Sequence, residues 1–340
     1  MLKKILCIIL SIVIILSGCK QNSINNNISN NHIIDANNNI INIKDNKNEL
    51  TIASVYAVAV PFLSALKLTD RVKAINVKSN FWKKVDKNYE KADTIGRGTI
   101  DFEKLAKVNP DCVIHRSNDK QVKDKIDKLG IDLISIKVEN IDDIINTIDI
   151  LSKYFGVEDR GELIKNYINN KFDYLDSITE SINEDEKKTA ILMGSNLGRV
   201  AGEDMLQSFM INKSGGKSVV IESKDNNWVD IGVEKIFKYN PDFIFLTSSA
   251  PLNYDENEIY NDKTWSDLNA VKNKNIFQIP TAYDSWDLPG ISAVLGTFYM
   301  LYKMYPEHFD LNQLRTEINE YYYMMFGQTF DDNFLRLNLD

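Results

Sequence analysis

The sequence predicts an α/β fold of two lobes, each built on a mostly parallel sheet and joined to the other by one long bridging α-helix. Three observations carry this expectation. The stretch EKLAKVNPDCVI at 103–114 recurs as EKIFKYNPDFIF at 234–245, with six of twelve positions identical. Helix-like and strand-like segments alternate around both copies. Residues 160–182 have no proline, no glycine after Gly161, and apolar residues at helical spacing. At about 1.5 Å per residue that is roughly 30 Å of helix, long enough to cross between lobes.

Each copy of the repeat reads as a short amphipathic helix stopped by Asn-Pro, then an apolar run that begins at Asp and has strand character. A helix followed at once by a buried strand is half of an α/β unit, and the two halves lie 131 residues apart. Before the first copy, IIDANNNIINI at 33–43 reads as a hairpin whose Asn cluster supplies the turn. The first lobe then gives strands at 50–56, 72–76, 112–115 and 133–136, with helices near 61–68, 102–108 and 121–129. An amphipathic helix at 141–155 ends at Gly156, and the bridging helix follows. In the second lobe strands fall at 189–193, 217–221, 243–246 and 276–279, helices at 205–213, 233–239 and 265–268. Two more helices, 291–304 and 311–326, close the chain. The Tyr and Met stripe at 321–325 has helical spacing and reads as core packing.

A chain of 340 residues with 44% apolar and 26% charged residues suits two globular domains. The net charge of -8 and the lack of a basic tract argue against nucleic acid as a partner. Of the three cysteines, Cys7 and Cys19 belong to the N-terminal segment, which leaves Cys112 as the body's single thiol. That segment has two lysines in its first four residues, an apolar run at 5–16 too short to span a bilayer comfortably, and LSGC at 16–19. It resembles a bacterial lipoprotein signal. The resemblance implies cleavage before Cys19, lipidation of Cys19, and a body held at the outer face of the cytoplasmic membrane. The Asn- and Ser-rich stretch after Cys19 reads as a flexible tether. The expected organisation is a signal at 1–18, a tether at 19–32, an N-terminal lobe at 33–157, the bridging helix at 158–184 and a C-terminal lobe at 185–340.

With the hairpin, the two repeat copies, Gly215-Gly216, WSDLNAVKNKNIFQIP at 265–280 and WDLPGISAVLGTFYMLYKMYPEHF at 286–309 in this order, the chain resembles the iron-chelate and cobalamin class of periplasmic-binding proteins. These are the solute receptors of ABC importers. The resemblance runs from about residue 33 to the C-terminus. It implies the class III fold of that family, two Rossmann-like lobes and a single bridging helix, and a monomer without intrinsic cofactor or catalysis. Its partners would be an ABC permease, the permease's ATPase subunits and a small-molecule metal chelate, with an iron chelate as cargo. The family's two lobe-surface glutamates dock into arginine pockets on the permease, and Glu103 and Glu234 match those positions. Both also suit a bland reading, because a carboxylate favours a helix N-terminus and each has a lysine four residues on, Lys107 and Lys238.

Ligands of two-lobed α/β proteins sit where strands end, so the candidate ligand residues are those just after strands. These are Tyr56, Trp82, His115 and Arg116 in the first lobe, and Asn196, Arg199, Tyr283 and Trp286 in the second. Aromatic rings and arginines suit a large, flat, partly anionic chelate through stacking and charge-assisted hydrogen bonds. His115 is the only histidine near the inferred cleft and has no partner at metal-ligand spacing, which disfavours a bare-metal receptor. A receptor for a free metal ion or oxyanion and an exported α/β enzyme remain the alternatives. No G-x-S-x-G elbow, phosphate-cradling loop or H-E-x-x-H motif speaks for the enzyme. Which chelate is carried, ferric siderophore, haem or cobalamin, stays open.

Overall fold

The computed structural model describes residues 31–339 apart from 97–98, 223–226 and 281–283. The expected signal, with Cys19, and Tyr283 lie outside the described residues. A hairpin opens the body: β1 (His32–Ile34) pairs antiparallel with β2 (Ile40–Asn42). The first sheet contains β3 (Ile52–Ser54), β4 (Val72–Ile75), β5 (Asp93–Thr94), β6 (Cys112–Arg116) and β7 (Asp132–Ile136), all parallel in the order β5-β4-β3-β6-β7. The second is mixed. Its strands are β8 (Thr189–Met193), β9 (Arg199–Ala201), β10 (Lys217–Ser218), β11 (Trp228–Asp230), β12 (Phe243–Leu246) and β13 (Ile276–Gln278). Parallel β10, β8, β12 and β13 form its body, and the antiparallel pair β9 and β11 hangs from the last residue of β8. The order in which strands are added to the sheet switches sides between β3 and β6, and again between β8 and β12. Such switch points leave a crevice at the strands' carboxyl ends.

The repeated Asn-Pro-Asp has a defined job in each sheet. Asn109 and Asn240 cap their helices in the left-handed conformation, at φ 47° and 42°, and proline ends the helix. The Asp111 carboxylate then accepts hydrogen bonds from the Thr51 backbone N–H at 2.8 Å and hydroxyl at 2.6 Å. Asp242 does the same for Thr189 at 2.9 and 2.8 Å. Each clamp sets the start of one switch-point strand against its neighbour. Burial alone would raise the Asp111 carboxyl, but the Thr51 hydrogen bonds outweigh it and hold it below the ordinary range.

Helices cover both faces of each sheet. On the outer face of the first sheet lie α3 (Phe102–Val108) and α4 (Lys120–Asp127); on that of the second, α8 (Gly232–Tyr239), α9 (Glu256–Asn261) and α10 (Asn269–Lys272). Beneath the inner faces, α1 (Ala59–Ala65), α5 (Ile141–Phe155), α6 (Glu158–Thr179), α7 (Leu206–Lys213), α11 (Ala293–Met304) and α12 (Leu311–Phe326) share one apolar cluster that runs continuously through both lobes. Among the described residues no helix is long and apolar enough to cross a membrane. Several expected elements are shifted. Residues 265–268 form turns, not a helix, with Trp265 and Leu268 buried beneath the start of α10. The ribbon of β9 and β11 and the one-turn helices α2 (Trp82–Val85) and α13 (Asp332–Leu335) had no periodic signal, being only three or four residues long.

The 22-residue α6 is the long helix the sequence predicts, but it does not join the lobes alone. The carboxyl end of α12 reaches the first lobe, where Phe326 packs 5.3 Å from Trp82 between ring centres. Its terminal carbonyls have no partners within the helix. Arg160 on α6 donates to Met324 O at 2.6 Å and to Ala65 O at 2.7 Å, and Lys67 donates to Met325 O at 3.1 Å. These cations also suit the negative end of the helix dipole. Replacing Arg160 by alanine should lower the unfolding free energy by about 2–3 kcal/mol, the usual range for hydrogen bonds from a charged donor. Urea titration would check this; an unchanged midpoint would show that water replaces the guanidinium without loss.

Candidate functional site

At the carboxyl end of the first sheet lies a cavity of about 630 Å³, to whose lining the other lobe contributes Ser249, Ser285 and Leu288. A second, of about 480 Å³, adjoins it and ends at Lys137, Glu139 and Pro289. Tyr56 and Arg116 line both. They reach this position because β3 and β6 end side by side at the switch point, with Ser54 paired to Ile114.

Of the charged side chains that line the larger cavity, three are cations and one is a carboxylate. Lys78 follows β4, Arg116 ends β6, and Lys125 projects from α4 with its ammonium 4.8 Å from the centre of the Phe102 ring. Asp119 is the only carboxylate among the described lining residues, and it is engaged: its Oδ2 lies 3.2 Å from His115 Nε2 and 3.8 Å from Arg116 Nη2. In a chain of net charge -8, three lining cations against one carboxylate make the cleft locally positive. His115 is only 8% exposed, and its Nδ1 is buried without a hydrogen-bond partner. Burial depresses its pKa more than Asp119 raises it, so the ring stays neutral near pH 7. Burial likewise raises the Tyr56 phenol and keeps it protonated. Among the described residues no group of three His, Cys, Asp or Glu side chains gathers as a metal site.

Of the expected ligand residues, Tyr56, His115 and Arg116 meet in the cleft. Trp82 and Trp286 do not. Trp82 is 4% exposed against Phe326, and Trp286 is fully buried, donating from Nε1 to the Tyr322 hydroxyl at 3.3 Å. Both indoles are committed to packing around α12. Arg199 and Asn196 follow β8 as expected but lie outside the cavity lining. Arg199 pairs with Asp230 across the ribbon at 3.1 Å, and the Asn196 side-chain oxygen accepts from Asn253 at 2.7 Å. Lys78, Asp119 and Lys125 were missed. Lys78 follows a strand as closely as the expected residues do, whereas Lys125 stands in a helix with Lys120 and Lys123 and nothing in the sequence sets it apart.

Glu103 and Glu234 are exposed in the first turns of α3 and α8. Phe102 lines the cleft, and Glu103 is the next residue on α3. The amino end of α8 meets the loop after β8, where Ile231 N–H donates to Gly198 O at 2.9 Å. Among the described residues neither glutamate forms the ion pair with Lys107 or Lys238 that its spacing permits.

Two buried carboxylates hold the second lobe's side of the cleft. Asp287 accepts from the Thr247 hydroxyl and from Ser248 N–H and Oγ at 3.0 and 2.9 Å. Burial pushes the Asp284 carboxyl up to about 7, against the lowering pull of hydrogen bonds with Ser292 and Tyr322. A carboxyl raised in the folded state binds its proton more tightly there than in the unfolded chain. Its contribution is therefore fully present below the ordinary carboxylate pKa and is lost as pH rises toward about 7. Asp284→Asn should remove that decline, which amounts to about 1.4 kcal/mol for each tenfold difference in proton affinity between the folded and unfolded chain. Melting temperatures of both proteins from pH 4 to 8 would show the variant gaining on the wild type as pH rises; parallel curves would refute a protonated Asp284.

Comparisons with known proteins bear on the fold. The Haemophilus influenzae molybdate-binding protein MolA is 22% identical over 185 residues, which is 54% of this chain and 51% of that protein's length. The chain thus spans about half the length of this curated relative. A periplasmic solute binding protein from Veillonella parvula superposes with a TM-score of 0.74 at 23% identity, covering 90% of this chain and 95% of the other. Helicobacter pylori Ceue with Ni(II) bound gives 0.72 at 22%, covering 90% and 98%. MolA bound to molybdate gives 0.73 at 16%, covering 88% and 99%. At such identities these likenesses speak for the fold. The model of the family described as "Periplasmic binding protein" matches residues 52–283, and the chain belongs to that family, one of solute-binding proteins rather than enzymes.

Proposed function

We propose that the protein is the extracytoplasmic receptor of an ABC importer and captures an anionic metal chelate, foremost a ferric siderophore, in the cleft between its lobes. The observation that carries this reading is the reversal of charge: Lys78, Arg116 and Lys125 line the cavity of an otherwise acidic chain. Cations at a partly dehydrated site favour anions and repel bare metal ions. A cavity of about 630 Å³ falls in the range of drug-sized ligands, which favours a chelate over a small inorganic ion. Tyr56 and Phe102 add aromatic surface beside the cations, as a partly flat ligand requires. A second reading, capture of an oxyanion, draws on the likeness to a molybdate-binding protein and on the same cations.

Isothermal titration calorimetry with ferric siderophores, haem, cobalamin, molybdate and divalent metals separates these readings. The expected result is saturable binding of an anionic ferric chelate, weakened roughly 10- to 100-fold by Arg116→Ala or Lys125→Ala, the loss of one charged hydrogen bond. Molybdate binding alone would select the oxyanion, and binding of bare cations would refute both.

Delivery to the permease rests on Glu103 and Glu234, one exposed carboxylate per lobe, matching the docking glutamates of the iron-chelate class. Lipidation at Cys19 would hold the receptor beside its permease. Replacing both glutamates by alanine should abolish ligand-stimulated ATP hydrolysis by the reconstituted importer and leave solute affinity unchanged. Full stimulation by the double variant would remove the docking role.

A further inference from the structure

We propose that Asp284 is a proton-dependent control on solute capture: as a neutral acid it leaves the cationic cleft at full strength, and as a carboxylate it places a negative charge behind the second lobe's wall and weakens the hold on an anion. This rests on the reading of the solute as an anion and adds to it the regulation of the same cleft. Asp284 is 5% exposed, and the next residue, Ser285, lines the larger cavity. Among the described residues no lysine, arginine or histidine pairs with it. A buried carboxylate without a cation is costly, whereas a buried acid with hydrogen-bond partners is tolerated.

The hydrogen bonds around it suit the neutral acid. Trp286 Nε1–H donates to the Tyr322 hydroxyl at 3.3 Å, and that hydroxyl gives its own proton to Asp284 Oδ2 at 3.4 Å. The Ser292 hydroxyl donates to Ser285 O at 3.4 Å. With its single proton engaged there, Ser292 meets Asp284 as an acceptor of the acid's proton. Loss of that proton turns Ser292 toward Asp284 and away from Ser285 O, so the wall residue loses a tie as the charge appears. No other group that faces Asp284 offsets the charge. Tyr321 and Tyr322 on α12 and, behind Tyr321, Tyr167 on α6 are phenols that burial keeps protonated. Beyond Tyr167, Glu317 is paired with Lys171 at 2.6 Å. Asp287 is buried as well, but its carboxylate is engaged by Thr247 and Ser248. The described cleft lining holds three cations and one carboxylate, an excess that one more carboxylate would halve. Salt screens a charge on the buried side of a wall only weakly. Burial raises the acid's midpoint to about 7, so the neutral form and full capture hold below it and are lost as pH rises through it.

The test uses the full chain in detergent, with molybdate and the iron(III) complex of succinyl-capped desferrioxamine B as anions of constant charge between pH 6.5 and 8.5. His115, its pKa lowered by burial, stays neutral across that window. Affinity for whichever anion binds should fall by roughly three- to tenfold over the range, and Asp284→Asn, which cannot ionise, should hold the pH 6.5 value throughout. Without solute, tryptophan emission should shift with a midpoint at about pH 7 as the chain from Trp286 through Tyr322 to Asp284 rearranges, and the variant should show no such transition. A wild-type emission curve without that transition, or a transition that survives in Asp284→Asn, would overturn the proposal and spare the anion reading. A transition accompanied by flat wild-type affinity would do the same, and needs no variant. If neither anion binds at any pH, the anion reading falls and the proposal with it.

Discussion

Two carboxylates fix the frame on which everything else depends. A cleft at a switch point needs two neighbouring parallel strands held in register, so that the loops leaving them diverge at the same height. Asp111 and Asp242 supply that constraint from the opposite end of each sheet by binding both donors of a threonine at the start of the adjacent strand. Hydrogen bonds to a charged acceptor contribute more than neutral ones, about 1.5–3 kcal/mol each. The left-handed Asn and the proline before each Asp turn the chain sharply enough to deliver it there. The clamp occurs twice because the architecture occurs twice.

That explains what could be read from the sequence. The twelve-residue repeat carries the clamp's acidic half in plain view, and α3, α5 and α12 keep a helical period long enough to be located residue by residue. The threonine halves sit outside the repeat, and their role exists only once strands pair. Elements of three or four residues, such as β9 and α2, have no period to detect. At the cleft, the rule that ligand residues follow strands led to three residues that line the cavity, Tyr56, His115 and Arg116, and to two tryptophans that do not. An aromatic residue after a strand serves a cleft or a core equally well, and here the passage of α12 between the lobes decided for the core. Lys125 was illegible for the converse reason: whether an exposed helix lysine faces solvent or a cleft depends on what stands opposite.

The two sides of the cleft divide their tasks. All the described lining charges, Lys78, Arg116, Asp119 and Lys125, belong to the first lobe, and the second lobe offers Ser249, Ser285 and Leu288. The second lobe's surface is neutral but stiff. Asp287 ties the loop after β12, and the Ser285 hydroxyl donates to Ser248 O at 2.9 Å. Such an arrangement suits capture by charge on one lobe and selection by shape against the other.

The same division bears on how far the lobes can move. A receptor joined by α6 alone could pivot about one helix. Here the end of α12, held by Arg160 and Lys67 and packed on Trp82, provides a second attachment well away from the first along the chain. Two attachments restrict rotation to directions that leave both intact, because core interfaces resist continuous deformation. The charges of the first lobe already stand in place in the open cleft. Glu103 follows directly on Phe102, so an exposed carboxylate and a residue of the cavity wall are consecutive on one helix.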